Sequence, residues 1–215
     1  MSISEDVANI LLEVGAFKLY EDYPFQFEGG TLSPVSLDCR KIISYPSQRE
    51  KIIQISHTLI NEKIGAETLD VIAGGEIAGI PFAYGLATVM NKPMIYVLNK
   101  PGRYGTQTRI EGTLNEGERV LLFEELFFRE GGELKSIEGI SEAGGTLENI
   151  CVIFEYGVKG KVEALEERGV KLWSLTNWKV FSEIALSKGY LTPEKKEEIE
   201  LFLEDPRTWA FSRSF

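Results

Sequence analysis

From residue 69 onward the chain alternates between short apolar runs and longer amphipathic stretches, and few architectures accept that order. LDVIAGG reads as a strand ending in glycines, GIPFAYGLATVM as a helix and KPMIYVLNK as a strand. RVLLFEEL is a strand followed by the helix GELKSIEGISEAGG, ENICVIFEYG a strand followed by the helix KVEALEERG, and VKLWSLT a last strand. Strands alternating with helices of about 10–15 residues need crossover connections, and hence a parallel sheet covered on both faces. Two further helices, NWKVFSEIALSKG and TPEKKEEIELFLED, close the chain. Thr192 followed by Pro193 is an N-cap with proline at the first helical position. The expected fold is α/β, a parallel sheet flanked by helices.

The region before residue 69 is different. Ser4 can cap a helix that aligns Val7, Ile10, Leu11 and Val14 on one face. YEDYPFQFEGGTLSPVSLDCRK is turn-rich with short apolar alternation, so it reads as a hairpin or edge strands. Ser47 is placed to cap a second helix carrying Ile52, Ile53, Ile55, Leu59, Ile60 and Ile64. With 215 residues and no linker, repeat or low-complexity tract, the chain suits a single domain, 1–215, with its core sheet at about 66–176 and C-terminal helices at 177–205.

The net charge of -10 argues against nucleic acid or an acidic membrane as partner, so any anionic substrate needs a local basic patch. No apolar run approaches the roughly 20 residues of a membrane helix, and the N-terminus lacks a basic leader, so a cytoplasmic protein is expected. Cys39 and Cys151 have no metal-ligand spacing and read as buried thiols. His57 is the only histidine and sits mid-helix, which argues against Ser-His-Asp or Cys-His chemistry.

Ligands of open parallel sheets bind beyond the carboxyl ends of the strands. GGEIAGIP, residues 74–81, leaves such an end and enters a helix. Its glycines let backbone amides approach an anion, and the helix N-terminus favours negative charge; a plain tight turn would use the same glycines. LNKPGRYGTQTRIEG concentrates Lys100, Arg103 and Arg109 in a long polar loop, either solvated or able to close over a polyanion. Glu124 and Glu125 end a buried strand. There they can bind sugar hydroxyls, hold a hydrated divalent ion or stabilise a developing positive charge, or else simply face water. Asp38, Arg40 and Lys41 follow a proline turn; they could touch a ligand or a partner subunit, but read more readily as surface residues.

The ordered series LLEVGAFK, SPVSLDCRKIISYP, LDVIAGGEIAGIPFA, KPMIYVLNKP, IEG and RVLLFEEL followed by Gly-Gly resembles the orotate phosphoribosyltransferases, which have the type I phosphoribosyltransferase fold, over nearly the whole chain. The resemblance implies a sheet that binds 5-phosphoribosyl-1-pyrophosphate and a reaction with orotate giving orotidine monophosphate and pyrophosphate. It also implies magnesium carried on the diphosphate, with no direct protein ligand. An N-terminal hood, mainly within 1–45, would cover the base, with Ser33 on that side. A homodimer would share the closing loop. By the same resemblance, residues 74–79, with Gly74, Gly75, Glu76, Ala78 and Gly79, form the pyrophosphate loop. Lys100 and Arg103 lie on the closing loop and meet the leaving group. Glu124 and Glu125 hold the ribose, with Glu125 stabilising the reacting sugar. The turn at 127–133, including Gly131 and Gly132, takes the 5-phosphate.

The chain departs from that pattern inside the sites. The acidic pair ordinarily ends in aspartate, and a carboxylate displaced by about 1 Å can cost about 100-fold in rate. Phe127 and Phe128 stand where the family offers hydroxyls; if this turn weakens binding, returning both to threonine and Glu133 to serine is expected to restore it. Glu133 stands where a small or basic residue is usual, and a carboxylate about 5 Å from a phosphate charge costs roughly 3 kcal/mol at an effective dielectric of about 20. Leu98 and Asn99 replace basic residues, and Glu28 would repel the carboxylate of orotate. A binding or regulatory protein on the same fold, catalytically impaired or with a redesigned site, is therefore the alternative. A purine-type phosphoribosyltransferase is a more remote one.

Overall fold

The computed structural model describes residues 2–27, 30–101, 108–128 and 132–211, leaving aside the side chains of 132 and 133. Its centre is a six-stranded sheet in the order β10-β9-β8-β5-β6-β7, formed by Val71–Gly75 (β5), Met94–Val97 (β6), Ile110–Glu111 (β7), Arg119–Phe127 (β8), Thr146–Glu155 (β9) and Lys171–Asn177 (β10). All neighbours pair in parallel except β7, which runs antiparallel to β6. The short strand β7 lies in the segment expected to be loop. Two residues, Tyr96↔Glu111 and Val97↔Ile110, are too short a run for period-2 alternation to register.

Alternate side chains of the strands fill two cores, as a sheet covered on both faces requires. Ile72, Leu121, Phe123, Cys151 and Ile153 join the larger core, together with Phe82 and Leu86 of Ile80–Met90 (α3) and Ile52 and Ile60 of Pro46–Lys63 (α2). Val71, Ala73, Leu122, Ile150 and Val152 face the smaller one. That core is closed by Ile140 of Gly132–Glu142 (α4) and Leu165 of Lys161–Glu166 (α5). Trp178–Ser187 (α6) and Pro193–Glu204 (α7) add Phe181, Ile199 and Phe202 to the larger core. A short further helix, Pro206–Phe211 (α8), buries Trp209; the sequence reading had ended the helices at 205.

Two helix starts differ from expectation. Ile3–Glu13 (α1) is capped by Ser2 rather than Ser4. Ser2 Oγ accepts from Glu5 N at 3.3 Å and Glu5 Oε2 accepts from Ser2 N at 2.7 Å, a reciprocal capping box. Helix α2 begins at Pro46 with Tyr45 as N-cap, so Ser47 lies inside its first turn. Thr192 caps α7 as expected, accepting from Lys195 N at 3.3 Å.

The segment between α1 and α2 forms two small antiparallel pairs, Phe17–Leu19 (β1) with Val35–Leu37 (β4) and Phe25–Gln26 (β2) with Leu32–Ser33 (β3). A 3-10 helix, Cys39–Ser44, follows with Cys39 and Ile42 fully buried. This layer is tied to the sheet by one buried bond in which Leu37 N donates to Tyr156 Oη at 2.9 Å. The Tyr156 ring packs against Phe27, Phe128 and Phe154, so the polar tie is enclosed by aromatic groups. Tyr156→Phe would leave that N–H buried without an acceptor, and a loss of about 1–3 kcal/mol is expected in urea denaturation. An unchanged midpoint would show that the tie contributes nothing.

Candidate active site

Strand β5 lies beside β8, pairing from Val71↔Val120 to Gly74↔Phe123. The chain leaves β5 for β6 on one side and reaches β8 on the other. The sheet order therefore reverses between β5 and β8, and a crevice for ligands opens at the carboxyl ends of these two strands. The two glycine- and glutamate-bearing motifs meet there.

Glycine is required at this junction by close approach. A Cβ on Gly74 would sit 2.8 Å from Ile80 Cα, so Gly74 lets α3 pack onto the strand. A Cβ on Gly75 would fall 1.6 Å from Glu124 Oε1, and one on Gly79 would fall 2.3 Å from the Phe123 carbonyl oxygen and 2.9 Å from Glu124 Oε2. The Glu124 carboxylate thus lies directly on the turn between β5 and α3. Gly79 N closes that turn by donating to Gly75 O at 3.2 Å, and the Glu76–Ile77 peptide within it is cis. Ala78 is half-buried, while Glu76 is exposed and committed to a neighbour: its Oε2 accepts from Asn99 N at 2.7 Å. Glu76 N also donates to Val97 O at 3.0 Å. Asn99, read in sequence only as a lost basic residue, therefore ties the root of the basic loop to the glycine turn.

Strand alternation gives Glu124 and Glu125 different surroundings. Glu125 lies in sequence register with Leu121 and Phe123, on the face covered by the 3-10 helix. Its carboxyl is pushed above the usual range, first by burial and further by Asp38, with Arg40 acting in the opposite direction. Asp38 and Arg40 themselves form an ion pair at 2.7 Å. The sequence puts these two on the surface, and Arg40 is exposed; the charges of both act on the Glu125 carboxyl. Lys41 is committed elsewhere, its Nζ donating to Gly15 O at 2.7 Å.

Lys100 is exposed at the start of the basic loop. Arg103, like all of 102–107, lies outside the described residues. Arg109 bonds to α4 instead of standing free, with Lys135 O at 3.2 Å and the carboxylates of Glu138 and Glu142 at 3.6 and 3.8 Å. Ser33 is fully buried, and its Oγ donates to Val35 O at 2.7 Å and accepts from Val35 N at 3.3 Å, which commits the hydroxyl to the backbone. Glu28 and Gly131 lie outside the described residues, as does the side chain of Glu133. Gly132 opens α4.

Phe127 and Phe128 both turn into cores. Phe127 belongs to the smaller core, and Phe128 to the larger one, with its ring 4.9 Å from that of Phe27 and stacked on Phe202 at 5.8 Å. Both rings therefore have a packing role that the sequence did not announce. A cavity of about 570 Å³ opens beyond β9 and β10, but Glu155, Glu197, Glu200 and Glu204 line it against Lys179, the wrong electrostatics for a phosphorylated ligand.

No family model matches the chain. It is 42% identical over 204 residues to the orotate phosphoribosyltransferase of Dinoroseobacter shibae, spanning 94% of this chain and 90% of that protein. It is 37% identical over 209 residues to that of Rhizobium rhizogenes, spanning 97% and 90%. The chain belongs to the orotate phosphoribosyltransferase family. The fold agrees: an orotate phosphoribosyltransferase from Aeropyrum pernix superposes with a TM-score of 0.71 at 24% identity, over 86% of this chain and 99% of that one. Leishmania donovani UMP synthase gives 0.79 at 22% identity, over 93% of this chain and 42% of that one.

Three substitutions test the geometry. In Gly75→Ala the new methyl meets a movable carboxylate, so the protein is expected to fold while losing about 100-fold in turnover as Glu124 shifts by about 1 Å. In Gly79→Ala it meets backbone, so stability is expected to fall by about 1–3 kcal/mol; equal stability of the two variants by thermal melting would contradict this. Phe128→Thr is expected to cost about 3–5 kcal/mol, and a threonine variant as stable as the parent would remove Phe128 from the core.

Proposed function

We propose that the protein transfers the 5-phosphoribosyl group of 5-phosphoribosyl-1-pyrophosphate to orotate, releasing orotidine monophosphate and pyrophosphate. The observation that carries this reading is the junction at the sheet reversal, where a glycine turn without room for a Cβ receives the Glu124 carboxylate. The relatives' shared name supports the choice of substrates.

In this reading the turn at 74–79 presents backbone N–H groups and the α3 N-terminus to the diphosphate. Lys100 and Arg103 neutralise charge on the leaving pyrophosphate. Glu124 and Glu125 accept hydrogen bonds from ribose hydroxyls, and Glu125 stabilises the sugar as positive charge develops at the anomeric carbon. Gly131 and Gly132 take the 5-phosphate through the backbone, a mode that needs no hydroxyl at 127 or 128. The orotate nitrogen displaces pyrophosphate directly, so no histidine is required. Among the described residues no group of three or more histidine, cysteine or acidic side chains could hold a metal. Magnesium would come to the site on the diphosphate of the substrate, as is common for Mg²⁺ with phosphate substrates. When bound, it would neutralise charge on the leaving group.

The whole chain would act as one domain, with 1–45 as the hood over the base, working as a homodimer in cytoplasmic pyrimidine synthesis. No helix among the described residues is long and apolar enough to cross a membrane. A second reading, a binding protein without transferase activity, is favoured by the two phenylalanines where the family has hydroxyls. Orotidine monophosphate formed from orotate, phosphoribosyl pyrophosphate and magnesium distinguishes them. Turnover is expected to vanish on chelation and to fall about 100-fold or more in Lys100→Ala. A folded protein that makes no product would leave the binding reading.

A further inference from the structure

The turn at 74–79, proposed to hold the diphosphate, already carries an anion of the chain's own. Glu124 Oε1 lies 1.6 Å from the point that a Cβ on Gly75 would take. Its Oε2 lies 2.8 Å from that point and 2.9 Å from the corresponding point on Gly79. Both carboxylate oxygens therefore sit against the turn and bridge its two ends. Helix α3 gives a physical reason for this position. It starts at Ile80 without a side-chain cap, because Gly79 is its N-cap, and its first turn carries no acidic residue. The N–H groups at a helix start favour negative charge, and here β8 supplies it. Glu124 thus takes the place at α3 that a phosphate group would take. Glu76, the other acid of the turn, is engaged at the root of the basic loop, where its Oε2 accepts from Asn99 N at 2.7 Å. The backbone of Glu124 is fixed by strand pairing opposite Val152, but its side chain is only half-buried. Rotation about side-chain bonds can therefore clear the turn while the sheet stays intact.

We propose that Glu124 is a specificity residue that makes the turn favour a diphosphate attached to a ribose over free pyrophosphate. This rests on Glu124 meeting ribose hydroxyls in the proposed reaction. A diphosphate that enters the turn meets a carboxylate already there, and like charges so close repel. Free pyrophosphate has to displace the carboxylate and offers it no hydrogen-bond donor in return. A ribosyl diphosphate displaces it too, but presents hydroxyls that donate to the displaced carboxylate and offset the loss of its place at α3. The discrimination is a difference between two affinities, and it comes from a group that penalises the wrong ligand as well as binding the right one. The same side chain has two positions, on the turn without ligand and on the ribose with it, and only a ligand that interacts with the second shifts it at little cost.

The test is calorimetric titration of the full chain, with magnesium, by pyrophosphate and by phosphoribosyl pyrophosphate, for wild type and Glu124→Gln, alongside turnover. Glutamine has nearly the volume of glutamate, so the variant is expected to melt like the parent. In Glu124→Gln pyrophosphate is expected to bind about tenfold tighter or more, because the competing charge is gone. Phosphoribosyl pyrophosphate is expected to change by less than about fivefold, because the weakened ribose contact offsets the same relief. The preference of wild type for the ribosyl ligand therefore shrinks. Pyrophosphate affinity that is unchanged, or undetectable in both folded proteins, overturns the proposal. So does weaker pyrophosphate binding in Glu124→Gln, which would make the carboxylate a partner of the magnesium carried on the diphosphate. If pyrophosphate tightens while wild type forms no product, the reaction reading fails and the competition at the turn stands. If wild type turns over and pyrophosphate binding does not respond, the competition fails and the reaction reading stands.

Discussion

The close approach of Glu124 to Gly75 and Gly79 is the contact on which the rest of the site depends. It exists because β5 and β8 are hydrogen-bonded neighbours in parallel register, so that the residues just past Gly74↔Phe123 face each other across the crevice. It also requires two positions without a Cβ, because any side chain at 75 would occupy the space of the carboxylate. Sheet order supplies the crevice, register supplies the alignment and glycine supplies the clearance. The Asn99–Glu76 bond then fastens the start of the basic loop to the same turn.

The strands and helices were legible from residue 69 onward because each spans enough residues for its apolar run or period to register. The glycine turn and the two glutamates stand out in the sequence as candidate site residues because both follow apolar strands. What could not be read was the direction of side chains. Two adjacent glutamates look like one acidic pair in sequence, yet a strand sends neighbours to different surroundings, so Glu124 meets β5 and Glu125 meets the hood. Phe127 and Phe128 looked like intrusions into a phosphate turn, and the same alternation divides them between the two cores. The tie between Leu37 and Tyr156 joins segments more than 80 residues apart, and nothing local in the sequence announces it.

This changes how the departures from the family pattern weigh. A hydroxyl missing at 128 is the other side of an aromatic cluster of Phe27, Phe128, Tyr156 and Phe202 that joins the hood to β9 and α7. The phosphate end of the site would then rely on backbone, and the ribose end on two carboxylates with separate supports. Those supports differ in kind. Glu124 is set against the glycine turn, while Glu125 lies partly buried on the face covered by the 3-10 helix.

The central claim is that the β5–β8 junction binds a ribose carrying a diphosphate. Calorimetric titration of the full chain with phosphoribosyl pyrophosphate and magnesium tests it without depending on turnover. The account predicts one site per chain, with pyrophosphate competing for it and Gly75→Ala weakening it. The absence of any heat at millimolar ligand, from a protein that melts cooperatively, would contradict it.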